Sequence, residues 1–343
     1  MTEKILFRKS SRREFFKKSG KAAFAIAGGL TFKILFDGCA NTTFDEKEPV
    51  IFPNVGRSDQ KKVQPPAYSC YFGIGSPHWA GYEQEVRFEY YGEKLGKVPS
   101  IINIWYGIVS WNHMFRIGSV AAENNVIPLL YVHYPELKDV NKGEKDSTLE
   151  KFADAAVKFG EKFGGFFITP MWEMNIDRKH APWSWCDRPG EFKKAWRRSW
   201  EIFEKRGANK YATWAIEYHV DFDTGGYWPG DRFVDWVGFS AYNRKVHEQY
   251  YGYRDLKDLI SSKYRYFSKK YPDKPIMLAE FASTKGEDQP EWLRKAFETI
   301  ESKPRIKAAL YWDNVNGDLG DDHKLSKESL QTLKELLKRP YFL

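Results

Sequence analysis

The stretch Phe166-Phe-Ile-Thr-Pro-Met-Trp-Glu-Met-Asn175 decides the fold. A short, mostly apolar run from Phe166 to Met171 is followed within a few residues by Glu173 and Asn175. An apolar run of this length, with polar residues collected at its carboxyl end, is typical of a buried parallel strand. Because such a strand must be covered on both faces, we expect the rest of the chain to supply more strands of the same kind, separated by helices.

Seven further runs of this kind lie between Tyr71 and Trp312, each bounded by glycine, proline, asparagine or polar residues. They are Tyr71–Gly75, Ser100–Tyr106, Val126–His133, Tyr211–Ile216, Trp236–Ser240, Ile276–Glu280 and Lys307–Trp312. Amphipathic helical patterns lie between the runs, at Thr148–Phe163, Gly190–Lys205 and Trp292–Ile300. Eight strands alternating with helices predict an α/β fold of the (β/α)8 TIM barrel type.

A doubly wound open sheet is the competing α/β arrangement. It would usually carry a glycine-rich phosphate loop after the first strand, with the pattern G-x-G-x-x-G. The segment Gly73-Ile-Gly-Ser-Pro-His78 matches that pattern poorly. The sequence therefore favours the barrel.

The charge of the chain is unevenly distributed. The 343 residues carry a formal net charge of +8, and six of those charges lie in the first 38 residues, which hold nine basic and three acidic side chains. The remainder is nearly neutral. Nucleic acid, which binding proteins recognise through an excess of Lys and Arg, is therefore not an expected partner.

The basic segment at the start of the chain has the form of an export signal. Ser11-Arg-Arg-Glu-Phe-Phe-Lys17 precedes the apolar stretch Ala22–Leu30, as in a twin-arginine signal peptide. We interpret residues 1–38 as this signal and Cys39 as a lipid-attachment site, with ordinary cleavage after Ala40 as the alternative.

Behind the signal, residues 39–67 are polar, contain four prolines and indicate a tether or a surface strap. Residues 68–343 are assigned to the barrel. The expected location is the periplasm, the cell surface or the medium, and the lipid would be the only membrane contact.

Two carboxylates stand where predicted strands end, namely Glu173 after the fourth strand and Glu280 at the end of the seventh. In (β/α)8 barrels the chemistry lies at the carboxyl ends of the strands, and strands four and seven lie across the mouth from each other. Two facing carboxylates are the groups that glycoside hydrolysis needs. The alternative is that each glutamate is a buried acid paired with Arg or Lys.

Three segments carry a resemblance to a known family: Met171–Asn175, Tyr227–Gly238 continued by Ala241–Asn243, and Lys274–Phe281. They resemble glycoside hydrolase family 26, a group of clan A retaining glycosidases that contains β-mannanases, β-1,3-xylanases and mixed-linkage glucanases. The resemblance extends from about Tyr71 to Trp312. It implies a retaining, endo-acting hydrolase for a β-linked polysaccharide, with β-mannan as the first expectation and β-xylan or β-glucan next.

The resemblance also implies roles for single residues. Glu173 matches the acid/base, Glu280 matches the nucleophile, and Tyr242 matches a tyrosine that hydrogen-bonds the nucleophile. His133 resembles a histidine that lies near the sugar at the point of cleavage. The family usually has histidine directly before the acid/base, where this chain has Trp172, so ordinary mannanase specificity does not follow from the resemblance.

Aromatic residues make up 17% of the chain. Flat aromatic rings stack on the C–H faces of sugars, and side-chain amides bind hydroxyl groups. Core packing and loop capping are the alternative roles for such residues. The candidate substrate-binding residues are His133, Trp172, Asn175, Trp183, Trp185, Trp214, Trp228, Asn243 and Trp312. Trp79 and Trp105 are further aromatic candidates.

No cofactor or metal site is predicted. The seven histidines show no zinc-ligand spacing, and Asp313–Asp318 places Val315 at a ligand position of a calcium loop. A disulfide between Cys70 and Cys186 is not expected, because they lie at opposite ends of the predicted barrel. We expect a monomer. A surface lipoprotein that binds glycans on a degraded glycosidase barrel is the second functional hypothesis, and endo or exo action stays open.

Overall fold

The computed structural model describes residues 61–75, 90–176, 185, 187–244, 252–316 and 321–343. The signal and most of the tether predicted for residues 1–67, including Cys39, lie outside these residues. In the described part of the chain, no helix has the length and apolar character needed to cross a membrane.

Eight parallel strands close into a barrel in sequence order, with β1 pairing both β2 and β8. The strands are β1 (Tyr71–Gly75), β2 (Ile101–Gly107), β3 (Ile127–His133), β4 (Phe166–Pro170), β5 (Ala212–His219), β6 (Trp236–Asn243), β7 (Ile276–Ser283) and β8 (Ile306–Trp312). This is the (β/α)8 TIM barrel predicted from the sequence.

Helices follow most of the strands and cover the outside of the barrel. They are α1 (Trp111–Glu123), α2 (Leu137–Lys142), α3 (Asp146–Phe163), α4 (Pro189–Arg206), α5 (Leu256–Lys270), α6 (Gln289–Glu301) and α7 (Lys327–Leu336). Proline in the first turn of α4 and left-handed Gly207 after its last turn fix the ends of that helix. Between β5 and β6 the chain forms only a short 3-10 turn, Asp231–Phe233, instead of an α-helix.

Alternation along the strands separates two apolar cores. Side chains facing the barrel interior form one cluster that includes Leu129, Tyr131, Phe167, Ala215 and Met277. The intervening side chains pack outwards against the helices in a second, larger cluster. In β5, Ala215 and Glu217 therefore face inwards, while Trp214, Ile216 and Tyr218 face the helices.

Strand β7 contains one more residue than its neighbours at the level of the mouth. Its register shifts between Leu278 and Phe281 against β8, and next to Ser240 against β6. A bulge of this kind re-aims a side chain. Ala279 packs in the interior cluster, and the bulge allows the next residue, Glu280, to face inwards as well.

Residues 61–67 pack against the amino ends of the strands, away from the mouth. The Val63 amide donates to Thr213 Oγ1 at 2.9 Å, the Lys62 ammonium lies 2.8 Å from Asp235 Oδ1, and the Lys307 ammonium donates to the carbonyl of Ala67 at 2.8 Å. Gly165 permits this approach, since a Cβ there would lie 2.8 Å from the Val63 nitrogen. This part of the predicted tether is a strap across the lower face of the barrel.

Candidate active site

Three glutamates converge in the upper interior of the barrel. Glu173 follows β4, Glu217 lies in β5 and Glu280 lies in β7, and their side chains are 8%, 0% and 4% exposed. They are close enough for the charge of Glu173 to raise the pKa of both Glu217 and Glu280. Glu173 and Glu280 were predicted from the sequence as a pair, and Glu217 is a third carboxyl beside them.

Glu173 is aimed by a strained turn at the end of β4. Met171 and Glu173 have φ of 55° and 47°, in the left-handed region that non-glycine residues rarely adopt. Backbone strain of this kind persists where the surrounding structure holds it, and such sites are often functional. Burial raises the pKa of the Glu173 carboxyl, while the hydroxyl of Ser240 and the charge of Arg244 lower it. Its Oε1 is buried and has no hydrogen-bond partner among the described residues.

Glu280 accepts a hydrogen bond on Oε2 from the hydroxyl of Tyr242. Burial raises the pKa of Glu280 well above its usual value, the charges of Glu217 and Glu173 add to the rise, and the Tyr242 hydroxyl opposes it. The contact that the sequence analysis expected between Tyr242 and Glu280 is present. A hydroxyl donor on this carboxylate favours its ionised form and fixes its orientation.

Glu217 was not predicted from the sequence as a site residue. Its Oε1 accepts a hydrogen bond from Ser240 Oγ at 3.1 Å, and its Oε2 is buried without a partner in the described ranges. Burial raises the pKa of Glu217 well above its usual value, and the charge of Glu173 raises it further. The available signal was a lone glutamate between apolar residues in Trp214-Ala-Ile-Glu-Tyr-His219.

A cationic and aromatic group lies beside the glutamates. The guanidinium of Arg244 lies 5.1 Å from the centre of the Tyr242 ring, and its Nε is 3.7 Å from Asp321 Oδ2. The fully buried ring of His323 lies 5.3 Å from the ring of Tyr242. Burial and the charge of Arg244 lower the pKa of His323 to about 4, so this histidine is neutral near neutral pH.

Aromatic side chains line the mouth between β8 and β4. The ring of Trp105 is stacked on Tyr131 at 4.9 Å and meets Trp312 edge-on at 5.2 Å, while Trp172 meets Tyr131 edge-on at 5.6 Å. Trp105, Trp172 and Trp312 are half-buried, so part of each indole is open to a ligand. The structure thus places three of the predicted aromatic candidates, Trp105, Trp172 and Trp312, at the mouth.

His133 stands at the end of β3 between two tryptophans. Its ring lies 6.1 Å from Trp172 and 5.8 Å from Trp185, and burial lowers its pKa. Trp185 itself is only 2% exposed. It packs against the ring of His133 and has no exposed face for a sugar. The prediction of a sugar contact for Trp185 is therefore wrong, and Trp183 and Trp79 lie outside the described residues.

The two asparagines predicted to bind sugar hydroxyls are used by the protein itself. Asn175 donates to the carbonyl of His219 at 2.9 Å and accepts from the amide of the same residue at 2.8 Å. Asn243 donates to Ser283 Oγ at 3.0 Å and accepts from the Arg254 amide at 2.8 Å. The substrate-binding prediction is wrong for both, because these amides are buried and are held by contacts within the protein.

Replacing Asn175 by alanine is expected to destabilise the fold. The substitution removes the side chain that ties the end of β4 to the end of β5, and takes a buried partner from the backbone of His219. We expect a loss of about 2–4 kcal/mol in the free energy of unfolding, measured by urea denaturation. Asn124→Ala is the matched control, because Asn124 makes one bond to a helix carbonyl at a half-buried position; an equal loss in the two variants would contradict the prediction.

Two predicted tryptophan platforms lie away from the mouth. Trp214 is fully buried among the helices, and its Nε1 donates to Asn209 Oδ1 at 2.8 Å. Trp228 stacks on Tyr271, which follows α5 close to the start of β7, with ring centres 3.7 Å apart. Both substrate-binding predictions are wrong, because Trp214 faces outwards from β5 and the segment after β5 carries Trp228 towards the amino ends of the strands.

The described residues contain no group of three or more His, Cys, Asp or Glu side chains arranged to hold a metal ion. Cys70 is buried as a free thiol, and burial raises its pKa. Cys186 lies outside the described residues.

Among curated proteins, the chain is similar at low identity to an endoglucanase. The chain is 25% identical over 264 residues to endoglucanase H of Acetivibrio thermocellus. The match covers 73% of this chain and 28% of endoglucanase H, so the chain spans less than a third of that protein's length. No protein-family model matches the chain.

Solved structures similar to the barrel include several domains of glycoside hydrolase family 26. A β-mannanase from a symbiotic protist of the termite Reticulitermes speratus, complexed with gluco-manno-oligosaccharide, has a TM-score of 0.60 and 13% identity, covering 83% of this chain and 96% of that one. The family 26 domain of an endo-β-mannanase/endo-β-glucanase from Prevotella bryantii has a TM-score of 0.58 and 14% identity, covering 80% and 90%. At these identities the similarity establishes a shared fold.

Proposed function

We propose that this protein is a retaining, endo-acting β-glycoside hydrolase that cleaves a β-linked polysaccharide by double displacement. The observation that carries the proposal is that two buried carboxyl groups lie near each other and differ in their hydrogen bonding. Glu280 is held by the hydroxyl of Tyr242, whereas Glu173 presents a buried oxygen without a partner in the described ranges. The Tyr242 hydroxyl favours the ionised form of Glu280 against the effect of burial, and Glu173 is left able to carry and release a proton.

In the first half of the reaction, Glu280 attacks the anomeric carbon while Glu173 gives its proton to the leaving oxygen. Burial favours the protonated form of Glu173, as a general acid requires. The Tyr242 hydroxyl keeps one oxygen of Glu280 engaged. The products of this half are a covalent glycosyl-enzyme and a shortened chain with a free hydroxyl.

In the second half, Glu173 takes a proton from water, which attacks the anomeric carbon and displaces Glu280. The sugar leaves with the anomeric configuration that it had in the polymer. Glu173 is protonated again and Glu280 is again a carboxylate, so the pair is ready for the next turnover.

For the substrate, we propose β-mannan first, with β-glucan and β-xylan as the next candidates. The similar structures include a β-mannanase complexed with gluco-manno-oligosaccharide, and the curated relative is called an endoglucanase. The aromatic wall of Trp105, Trp172 and Trp312 suits a polymer of neutral sugars, because indoles stack on C–H faces and carry no charge.

A polysaccharide panel tests the proposal directly. Purified protein is incubated with β-mannan, glucomannan, mixed-linkage β-glucan and β-xylan; reducing ends are counted, and products are sized by chromatography. Early release of mixed oligosaccharides would support endo action. Proton NMR of the first product should show the β anomer before mutarotation. Accumulation of the α anomer would refute the retaining mechanism, and no release from any polymer would refute the hydrolase proposal.

Replacing Trp312 by alanine is expected to weaken substrate binding. The half-buried indole is part of the aromatic wall, and an aromatic stacking contact is worth about 0.5–1.5 kcal/mol. We therefore expect KM for the preferred polysaccharide to rise about two- to twelvefold. Trp228→Ala is the control, because this indole lies near the amino ends of the strands, away from the mouth, and its removal should leave KM unchanged. An equal rise of KM in both variants would contradict the assignment of the aromatic wall to substrate binding.

A glycan-binding lipoprotein without catalysis is the second candidate, and Trp172 in place of the usual histidine is the feature that favours it. The two proposals differ in one comparison. A hydrolase loses reducing-end release in Glu173→Gln and keeps affinity for the polymer, whereas a pure binding protein shows no release in either form.

We further propose that the protein is exported as a monomer and anchored through Cys39, as the sequence of its first 39 residues suggests. Mass spectrometry of the mature protein from the native membrane fraction tests this, because an N-terminal diacylglyceryl-cysteine would identify the anchor. A mature chain beginning after Ala40 would refute it.

A further inference from the structure

The double-displacement mechanism requires Glu173 and Glu280 and assigns no role to the third buried glutamate, Glu217. Glu217 is fully buried in β5, which lies between β4 and β6. Glu173 lies in the turn that follows β4, and β6 carries Tyr242. Burying a carboxyl without strong compensation costs several kcal/mol, so a chain gains little stability from such a residue. The position therefore calls for a functional explanation.

The contact that defines this residue is its hydrogen bond to Ser240. Ser240 Oγ lies 3.1 Å from Glu217 Oε1, and both groups are fully buried. The same hydroxyl lies beside Glu173, whose pKa it lowers. A serine hydroxyl has one proton to donate and can accept as well, so Ser240 can donate to only one of these carboxyl groups at a time.

The charges around Glu217 favour its neutral form. The titratable groups facing it are Tyr131 from β3, Glu173 after β4 and Glu280 in β7. Burial and the neighbouring carboxylates raise the pKa of Tyr131, so this phenol is neutral as well. Arg244 acts on Glu173 and Asp321, and none of the described residues gives Glu217 a salt bridge. A proton on Glu217 keeps the cluster from holding three negative charges.

We propose that Glu217, Ser240 and Glu173 form a reversible hydrogen-bond relay in which a protonated Glu217 lets the Ser240 hydroxyl turn from Glu217 to Glu173 whenever Glu173 is ionised. In the resting state the hydroxyl donates to Glu217 Oε1. After Glu173 has protonated the leaving group, the hydroxyl donates to the new carboxylate, and the acid of Glu217 donates to the serine oxygen. No proton changes owner, because the Ser240 hydroxyl rotates and the Glu217 carboxyl turns to present its O–H in place of the oxygen that accepted the bond. The 3.1 Å contact fits either direction.

The inference rests on the proposed function, because it assigns the relay to the step at which Glu173 acts as a base. A carboxylate with a hydrogen-bond donor is more stable than one without. The relay therefore keeps Glu173 ionised, and so able to act as a base, until water reacts with the glycosyl-enzyme, and it returns to its resting direction when Glu173 is protonated. Ser240 and Glu217 are positioning residues in this scheme, since they act on the sugar only through Glu173.

Pre-steady-state kinetics with 2,4-dinitrophenyl β-mannobioside, or the β-cellobioside for a glucan-cleaving enzyme, separates the two half-reactions. The burst of dinitrophenol reports attack by Glu280, and the later steady rate reports hydrolysis of the glycosyl-enzyme. We expect Ser240→Ala and Glu217→Leu to leave the burst and to lower the steady rate on the acid side of its pH profile, where Glu173 without its donor is already protonated. The fall there should be at most about ten- to a hundredfold, the usual value of a hydrogen bond to a charged group. The double variant should be no slower than either single variant.

Conservative and control variants sharpen this experiment. Glu217→Gln should recover most of the rate lost in Glu217→Leu, because an amide can both donate to and accept from Ser240. Ser199→Ala removes a buried serine hydroxyl from α4, where it contacts Tyr134 at 2.8 Å outside the barrel, and should leave both phases unchanged. The relay is refuted by an unchanged acid side of the steady-rate pH profile in Ser240→Ala, by Glu217→Gln being as slow there as Glu217→Leu, or by effects that multiply in the double variant.

A substrate-free measurement separates failure of the relay from failure of the proposed function. Carbon-13 NMR of glutamate carboxyls, with Glu173→Gln used for assignment, follows the titration of Glu173. We expect its pKa to be higher in Ser240→Ala than in the wild type, because the lost hydroxyl favours the charged form. An unchanged titration would overturn the relay even in an active enzyme, whereas a shifted titration in a protein that cleaves no glycoside would leave the contact intact and refute only the hydrolase proposal.

Discussion

Glu280→Ala is expected to remove polysaccharide hydrolysis almost completely. General acid–base catalysis contributes about 10²–10⁴-fold, and the substitution removes the covalent route itself, so we expect a loss at or beyond the upper end of that range. Reducing-end assays on the preferred polymer measure the loss. The fold should survive, because the deleted carboxyl is buried with a strongly raised pKa and its charge does not stabilise the folded state.

Activity of Glu280→Ala should be restored by a small external anion, which provides a second test of the nucleophile. In Glu280→Ala the space left by the carboxylate admits azide, which can attack an activated 2,4-dinitrophenyl glycoside from the same side. The expected product is an α-glycosyl azide, because only one displacement occurs. Glu280→Gln, which keeps an acceptor for the Tyr242 hydroxyl, fills that space and should resist rescue. Undiminished turnover in the alanine variant, or a β-glycosyl azide from it, would contradict the assignment of the nucleophile.

The fold was accessible from the sequence because buried parallel strands leave a simple pattern. All eight predicted runs correspond to barrel strands, and Tyr71–Gly75 has the predicted ends. The largest errors are in β5, β6 and β7, where each strand continues three residues beyond the prediction. The predicted runs stop where polar or small residues begin, but in a barrel the last residues of a strand carry the site, so polarity there does not mark the end of the strand.

The site was only partly accessible, because a side chain's direction depends on features that a pattern does not show. Glu280 faces inwards through a bulge in β7, and Glu217 faces inwards because it alternates with Trp214, Ile216 and Tyr218. The same alternation sends Trp214 outwards. Asn175 could not be distinguished from a sugar-binding residue by its sequence context. Its hydrogen-bond partner is the backbone of a residue in β5, 44 positions along the chain.

Glu173→Gln is expected to have an effect that depends on the leaving group. For a polysaccharide, whose leaving oxygen needs a proton, we expect kcat/KM to fall about 10²–10⁴-fold. For 2,4-dinitrophenyl glycosides the leaving group needs no proton, so attack by Glu280 should continue. The glycosyl-enzyme then accumulates, because no base activates water, and mass spectrometry should find a sugar attached to the peptide that contains Glu280.

The pH dependence of the same variant supplies an independent check on the role of Glu173. A general acid works while it is protonated, so wild-type kcat/KM on a polymer should persist below the raised pKa of Glu173 and fall as pH rises through it. Glu173→Gln cannot lose this proton, and with the activated glycoside it should therefore show no fall on the alkaline side. Azide should accelerate its turnover and yield a β-glycosyl azide, the opposite anomer to the product of Glu280→Ala. Equal losses on polymer and activated glycoside would mean that Glu173 supports the site's structure and does not act as the acid.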